Sequence, residues 1–271
     1  MGVSLINLAS GSRGNSTVIR SSRTALLVDC GLSCRQLCLR LEECRIAPDS
    51  LDAILITHEH SDHVGGLHVM AKKFRVPVYM TAPTHEAWRR IFRDSAGNPV
   101  AAERLETIVP GRGFTIGDIA VQPFTIPHDA ADPSGYTFTA EGIKVGVATD
   151  LGYLPPNVKD CLTGCQLLYI ESNHDLEMLR TGSYPWAVKQ RVMSRVGHLS
   201  NAALAEFLAN DYDGAAACIV LAHLSEQNNH PELARRAAEE ALAARNGLFA
   251  GAATPELMLA SQTKILKTVT L

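Results

Sequence analysis

The stretch from Leu51 to His63, LDAILITHEHSDH, joins a continuous apolar run to a dense polar one. Leu51–Thr57 reads as a buried strand, and it runs directly into His58, Glu59, His60, Ser61, Asp62 and His63, so the histidines sit where a strand stops. His58 and His60 are two apart and face the same side of an extended segment; Asp62 and His63, past the bend, address a second point close by. Imidazole nitrogen and carboxylate oxygen suit zinc, manganese or iron(II) and disfavour calcium, which prefers oxygen alone. Four ligand-type residues packed this closely point to a metal centre rather than to histidines that cap backbone groups.

Outward from this string the same arrangement recurs. Upstream, strands at Val3–Ala9, Thr17–Arg20 and Thr24–Val28 flank a turn-rich loop, Ser10–Thr17, and end at Asp29-Cys30-Gly31. Ser33 and Gln36 have capping-box spacing before a helix whose buried face carries Cys34, Leu37, Cys38, Leu41 and Cys44. Downstream, a strand at Pro77–Thr81 and a helix near Thr84–Asp94 precede strands at Phe114–Ile116, Ala120–Ile126, Gly135–Thr139 and Lys144–Ala148. Strand ends carry His128, Asp150, Glu171-Ser172-Asn173-His174-Asp175 and His223, and helices follow at about Asn201–Asn210 and from Pro231 to about Arg245. Strands followed by helices in both halves predict an α/β sandwich with loops at one sheet edge gathering His and Asp. No linker or low-complexity tract divides the chain, which predicts a single domain over residues 1–271.

With 46% hydrophobic and 20% charged residues the composition excludes disorder and collagen-like repeats. No apolar run approaches the roughly 18–20 residues of a membrane helix and the start lacks a secretory pattern, so the expectation is a cytoplasmic protein without membrane partners. The odd count of seven cysteines fits reduced thiols better than disulfides. A net charge of −3 gives no global field for nucleic acid, which would need a local basic patch. Arg180, Lys189, Arg191 and Arg195 occur before His198 with no intervening acid, a stretch that reads either as a phosphate path or as a solvated face. Trp186 within it either stacks on a base or packs into the core.

The 58–63 string, its preceding strand and the upstream Asp29-Cys30-Gly31 together resemble the metallo-β-lactamase superfamily over nearly the whole chain. The resemblance implies a four-layer αββα sandwich and two divalent transition metal ions, zinc, manganese or iron. It implies one ion held by His58, His60 and His128, the other by Asp62, His63 and His223, with Asp150 bridging and Asp29 orienting ligands. Two dications against Asp62 and Asp150 leave net positive charge to lower the pKa of a bridging water towards neutrality.

The strings SGSRGNST (10–17), ESNHD (171–175), GHLSN (197–201) and LAHLSEQNN (221–229) are similar to the YycJ/WalJ group, related to the RNase Z and phosphodiesterase branch. That resemblance implies phosphodiester hydrolysis, with an exonuclease role on DNA. Asp62 and His198 are then candidate catalytic residues, His198 assisting the leaving oxygen. Glu171 and His174 are further candidates, one to bind phosphate and the other to orient a histidine. Ser12, Asn15, Arg191 and Arg195 are candidate substrate-binding residues, the first two from a glycine-rich loop able to cradle phosphate. The 72 residues between Asp150 and His223 are too few for an added clamping domain, so DNA would be held by this domain alone or by a homodimer. The alternatives are hydrolysis of a small molecule (a cyclic phosphodiester, a thioester or a lactone) and a metal-containing sensor without turnover.

Overall fold

A computed structural model describes residues 2–248, 254–266 and 268–271. The first sheet contains, in spatial order, β14 (Val269–Thr270), β1 (Ser4–Ala9), β2 (Ser16–Arg20), β3 (Ala25–Val28), β4 (Ala53–Leu55), β5 (Val78–Thr81) and β6 (Leu105–Ile108). The second contains β13 (Glu256–Leu259), β12 (Cys218–Ala222), β11 (Leu167–Glu171), β10 (Ile143–Ala148), β9 (Ser134–Ala140), β8 (Ile119–Thr125) and β7 (Phe114–Ile116). Helices α1 (Cys34–Glu43), α2 (Ser61–Val64), α3 (Leu67–Phe74) and α4 (Ala82–Ile91) come from the first half of the chain. The second half gives α5 (Pro156–Leu162), α6 (Leu176–Thr181), α7 (Trp186–Val192), α8 (Asn201–Asn210) and α9 (Pro231–Leu248).

Period-2 alternation sorts the strands into layers. In β11, Leu167 and Tyr169 join the core between the sheets while Leu168 and Ile170 join the core beneath α5, α8 and α9. In β3, Leu26 and Val28 face the inter-sheet core while Ala25 and Leu27 pack with α1 and α3. Central strands buried on both faces read as continuous apolar runs, as β11 and β12 do. The result is the four-layer αββα sandwich. Among the described residues no helix is long and apolar enough to cross a membrane, and all seven cysteines are free thiols.

Strand β4 is shorter than the apolar run predicts, ending at Leu55. Beyond it the backbone amide of Thr57 donates to the Asp29 carboxylate (2.9 Å) instead of to a neighbouring strand, which releases the chain from the sheet just before His58. Tyr136 in β9 reaches across the inter-sheet core to donate its hydroxyl to Ile56 O. Gly31 lets the end of β3 press on α2: a Cβ there would lie 1.7 Å from Asp62 O, so no other residue fits without moving the string.

Candidate metal centre

Three strand ends of the two sheets meet at this edge in an unusual backbone. Asp29 after β3, Asp150 after β10 and His223 after β12 have φ of 62°, 61° and 54°, a left-handed conformation that non-glycine residues adopt at some expense in strain. Each turns the chain sharply at the point where its side chain enters the site.

The structure brings His58, His60, His128, Asp62, His63, Asp150 and His223 together. Ligand atoms of His58, His60 and His128 lie within 4.8 Å of one another, as do those of Asp62, His63 and His223, and those of His58, His63 and Asp150. His60 Nδ1 is 3.0 Å from His58 Nε2 and 3.2 Å from His128 Nε2. His63 Nε2 is 3.5 Å from Asp62 Oδ2 and 3.4 Å from Asp150 Oδ2.

Partners on the far side of the rings fix which nitrogen is free. Nδ1 donates to Thr57 Oγ1 in His58 (3.0 Å), to Asp29 Oδ2 in His63 (2.8 Å), to Gly197 O in His128 (3.1 Å) and to Glu171 Oε1 in His223 (2.8 Å). Thr57 Oγ1 in turn donates to Asp29 Oδ2 at 2.9 Å, so Asp29 anchors two rings, one directly. Nε2 of all four is thereby left to face the centre, the arrangement in which an imidazole binds a metal.

The electrostatics differ between the two halves of the cluster. Burial and the neighbouring His63, His128 and His60 rings push His58 well below the usual histidine range, so it is neutral. Burial likewise lowers His128. At the other half burial opposes charge on His63, yet Asp29, Asp150 and Asp62 overcome it and hold the ring well above its usual value; Asp150, Asp62 and Glu171 do the same for His223. That half of the site favours positive charge. Asp150 Oδ2 and His223 Nε2 are buried with no hydrogen-bond partner, two donor atoms aimed into the cluster. The mixed N/O donor set, the anionic field and these orphaned atoms fit divalent transition ions.

Glu171, fully buried, does not reach the cleft. Its Oε1 accepts from both His198 Nδ1 and His223 Nδ1 at 2.8 Å, and its Oε2 accepts from the amides of Leu151 (2.9 Å) and Leu199 (3.1 Å). Burial opposes the charge, but the two histidines hold this carboxyl well below the usual range. Burial also opposes charge on His198, and Glu171 and Asp150 raise it nevertheless. His174 is 1% exposed, with both ring nitrogens unpartnered, and burial drives it down to about 4. It is a neutral buried ring that does not line the cleft.

The cleft holds roughly 290 Å³ and is lined by His60, Asp62, His128, Asp150, His198 and His223 with Ser12, Tyr184 and Arg191 around them. Asn15 and Arg195 do not line it. Asn15 Nδ2 lies 3.2 Å from Asp62 Oδ2 and 3.0 Å from His63 Nε2, and the Asn15 amide donates to Asp62 O at 2.7 Å, so this side chain grips the 58–63 string. The amides of Gly11, Arg13 and Gly14 donate to Asn15 Oδ1, Gln262 Oε1 and Gly11 O, and Ser12 between them lines the cleft. Arg195 lies over the Tyr153 ring at 4.3 Å. Lys189 is buried, donating to Arg180 O (2.8 Å) and Gly182 O (2.7 Å), and Arg191 pairs with Asp129. The basic stretch is therefore not a continuous cationic track. Sequence reasoning passed over Asp129, Asn173 and Tyr184; Asn173 lines the cleft and donates to His223 O at 2.8 Å. Its signal lay in ESNHD, between Glu171 and His174.

Residues 24–223 match the family model described as the beta-lactamase superfamily domain. With the sandwich and the clustered histidines in view, the chain belongs to the metallo-β-lactamase superfamily. Within it, the chain is 38% identical over 242 residues to exodeoxyribonuclease YycJ of Bacillus anthracis, covering 89% of this chain and 90% of that one. It is 39% identical over 227 residues to exodeoxyribonuclease WalJ of Streptococcus pneumoniae, covering 84% and 83%. Among solved structures, the metallo-beta-lactamase fold protein YhfI of Bacillus subtilis superposes with a TM-score of 0.71 at 15% identity, over 98% of this chain and 100% of the other, a likeness of fold.

Proposed function

We propose that this chain is a cytoplasmic, divalent-metal-dependent phosphodiester hydrolase that degrades DNA from an end. The observation that carries the reading is the clustering of ligand atoms from five histidines, Asp62 and Asp150 at the floor of one cleft, in a chain similar over most of its length to relatives named exodeoxyribonucleases. His58, His60 and His128 would hold one ion, Asp62, His63 and His223 the second, and Asp150 would serve both. Zinc, manganese and iron(II) all suit these donors. Bound there, such ions would supply positive charge to offset that developing on phosphate oxygens and would lower the pKa of water.

The protein's own groups do the rest. Glu171 is a positioning residue: its Oε1 holds the Nδ1–H of His198 and so turns the opposite nitrogen of that ring towards the cleft. A proton on that nitrogen would serve the departing sugar oxygen. Ser12 and Arg191 contact the phosphate, Asp129 fixing the guanidinium beside His128. Asn15 acts on Asp62 and not on the substrate, and His174 and Arg195 take no part in transfer. One domain spans the chain, and DNA is held by it alone or by a dimer.

Hydrolysis of bis(p-nitrophenyl) phosphate and of linear DNA with added manganese or zinc tests this reading, wild type against His60→Ala and Asp62→Ala. Either change should abolish turnover of both substrates. Wild-type protein that binds metal but cleaves neither would overturn the proposal in favour of a sensor or of non-phosphate chemistry.

A further inference from the structure

The segment from Tyr184 to His198 is built inside out. In α7 the buried side chain is Lys189, 8% exposed, whereas Trp186 is 62% and Val188 38% exposed, and Val196 beyond the helix is 44% exposed. Three of the seven large exposed apolar side chains among the described residues thus fall in eleven positions. An indole left in water forfeits burial that a helix normally obtains by turning its aromatic face inward. Here the inward place is taken by an ammonium bonded to two carbonyls.

The same segment borders the cleft. Tyr184, Arg191 and Val192 line it, the His198 amide donates to Val192 O at 2.9 Å, and Gly197 O accepts from His128 Nδ1. The exposed indole is therefore carried by the helix that borders the candidate centre. Within the segment the ionisable side chains before His198, the phenol of Tyr184 apart, are Lys189, which is buried, Arg191, which is exposed though paired with Asp129, and Arg195, which lies over the Tyr153 ring. Trp and Arg are enriched where protein chains meet, so a second copy of the chain is the rival occupant, which the sedimentation arm of the test below addresses. Aromatic platforms flanked by cations are also the surface on which unpaired bases stack, and this one borders the cleft that would receive the strand.

Resting on the function proposed above, we propose that Trp186 is the base-stacking residue by which α7 steers an unpaired strand of the DNA substrate towards the cleft. Arg191 meets the phosphate and Trp186 meets a base further along the strand. The chain has two tryptophans and Trp88 is 1% exposed, so emission that responds to an added polymer reports Trp186.

The test titrates the full-length protein with a hydrolysis-resistant phosphorothioate oligothymidylate, reading tryptophan emission and the anisotropy of a labelled copy. Wild-type emission should be quenched. Trp186→Ala should weaken binding roughly five- to hundredfold, the range for loss of one stacked base, and Trp186→Phe should restore most of it. The ratio of DNA cleavage to bis(p-nitrophenyl) phosphate hydrolysis should fall by a comparable factor in Trp186→Ala. Undiminished oligonucleotide affinity in that variant, an equal loss on both substrates, or a change in sedimentation showing that the patch joins two copies would each overturn the proposal. Failure of wild type to bind or cut DNA would bring down the functional reading itself; wild type and Trp186→Ala cutting DNA equally well would remove the stacking role alone.

Discussion

At one end of the sandwich Asp29, Asp150 and Glu171 are buried and accept from, or press against, imidazoles; at the other end the carboxylates meet hydroxyls and amides near solvent. There Asp118, between β7 and β8, accepts from Ser21 Oγ (2.7 Å) and Thr24 Oγ1 (2.6 Å) in the turn joining β2 to β3. Glu141, in the turn from β9 to β10, accepts from the Ser22 amide at 3.0 Å. Both ends tie the two sheets together, but only the first does so by concentrating charge that no pair of neighbours fully balances. The contrast separates groups held for chemistry from groups held for shape: left-handed residues occur at both ends, Glu141 (φ 52°) included, but the near end leaves Asp150 Oδ2 and His223 Nε2 orphaned, while the far-end carboxylates are met by hydroxyls and amides.

The sharpest way to break this contrast is at the near end. His223→Ala or His58→Ala should lower hydrolysis by roughly a thousandfold or more, because losing an ion forfeits several kcal/mol of charge stabilisation. The circular dichroism spectrum should stay native while elemental analysis shows less retained metal. Asp29→Asn and Glu171→Gln, which disturb the far nitrogen of the rings and the Thr57, Leu151 and Leu199 groups that these carboxylates also hold, should weaken metal affinity or activity about 10- to 100-fold, measured by chelator competition. If either acted as strongly as ligand loss, the division between holding metal and orienting ligands would have to be redrawn.

Lys189→Met moves the test to a buried charge that serves shape. It strips two carbonyls of their donor and should cost about 1–3 kcal/mol of stability by urea unfolding. The smallest effect belongs to the far end. Hydrogen bonds from Thr24 and Ser21 hold Asp118 at about 2, below its usual value. A carboxyl depressed on folding stabilises above its unfolded pKa of roughly 4 and loses that contribution as pH falls through the folded value. The melting-temperature difference between wild type and Asp118→Asn should thus be largest above about pH 5, shrink as pH falls and vanish only below about pH 2. A difference that grows with acidification would contradict the assignment.

The sandwich was legible because its strands are continuous apolar runs or strict alternations; β11 and β12 announce themselves from composition alone. β6, with two exposed residues in four, and the two-residue β14 carry almost no periodic signal and take their place from partners already in the sheet. In the centre, the 58–63 string was readable because its donors are contiguous. His128, Asp150 and His223 were found by order and resemblance, since nothing local marks a lone histidine as facing a cluster. The destinations of Asn15, Glu171 and Lys189 were not legible. Each is decided by what the fold brings up from 20 or more residues away (Asp62, His198, His223) or by an unusual helix that buries its lysine.

The left-handed turns at Asp29, Asp150 and His223 carry a corollary for anyone engineering this scaffold. Glycine at Asp150 or His223, each of which buries an orphaned polar atom, would relieve about 1 kcal/mol or more of backbone strain while deleting a side chain the centre needs, whereas at Asp29 it would also strip Thr57 and His63 of their acceptor. Selection for heat resistance without a parallel screen for turnover would therefore enrich robust but inert variants, and the hottest-melting clones of such a library should be sequenced first at these positions.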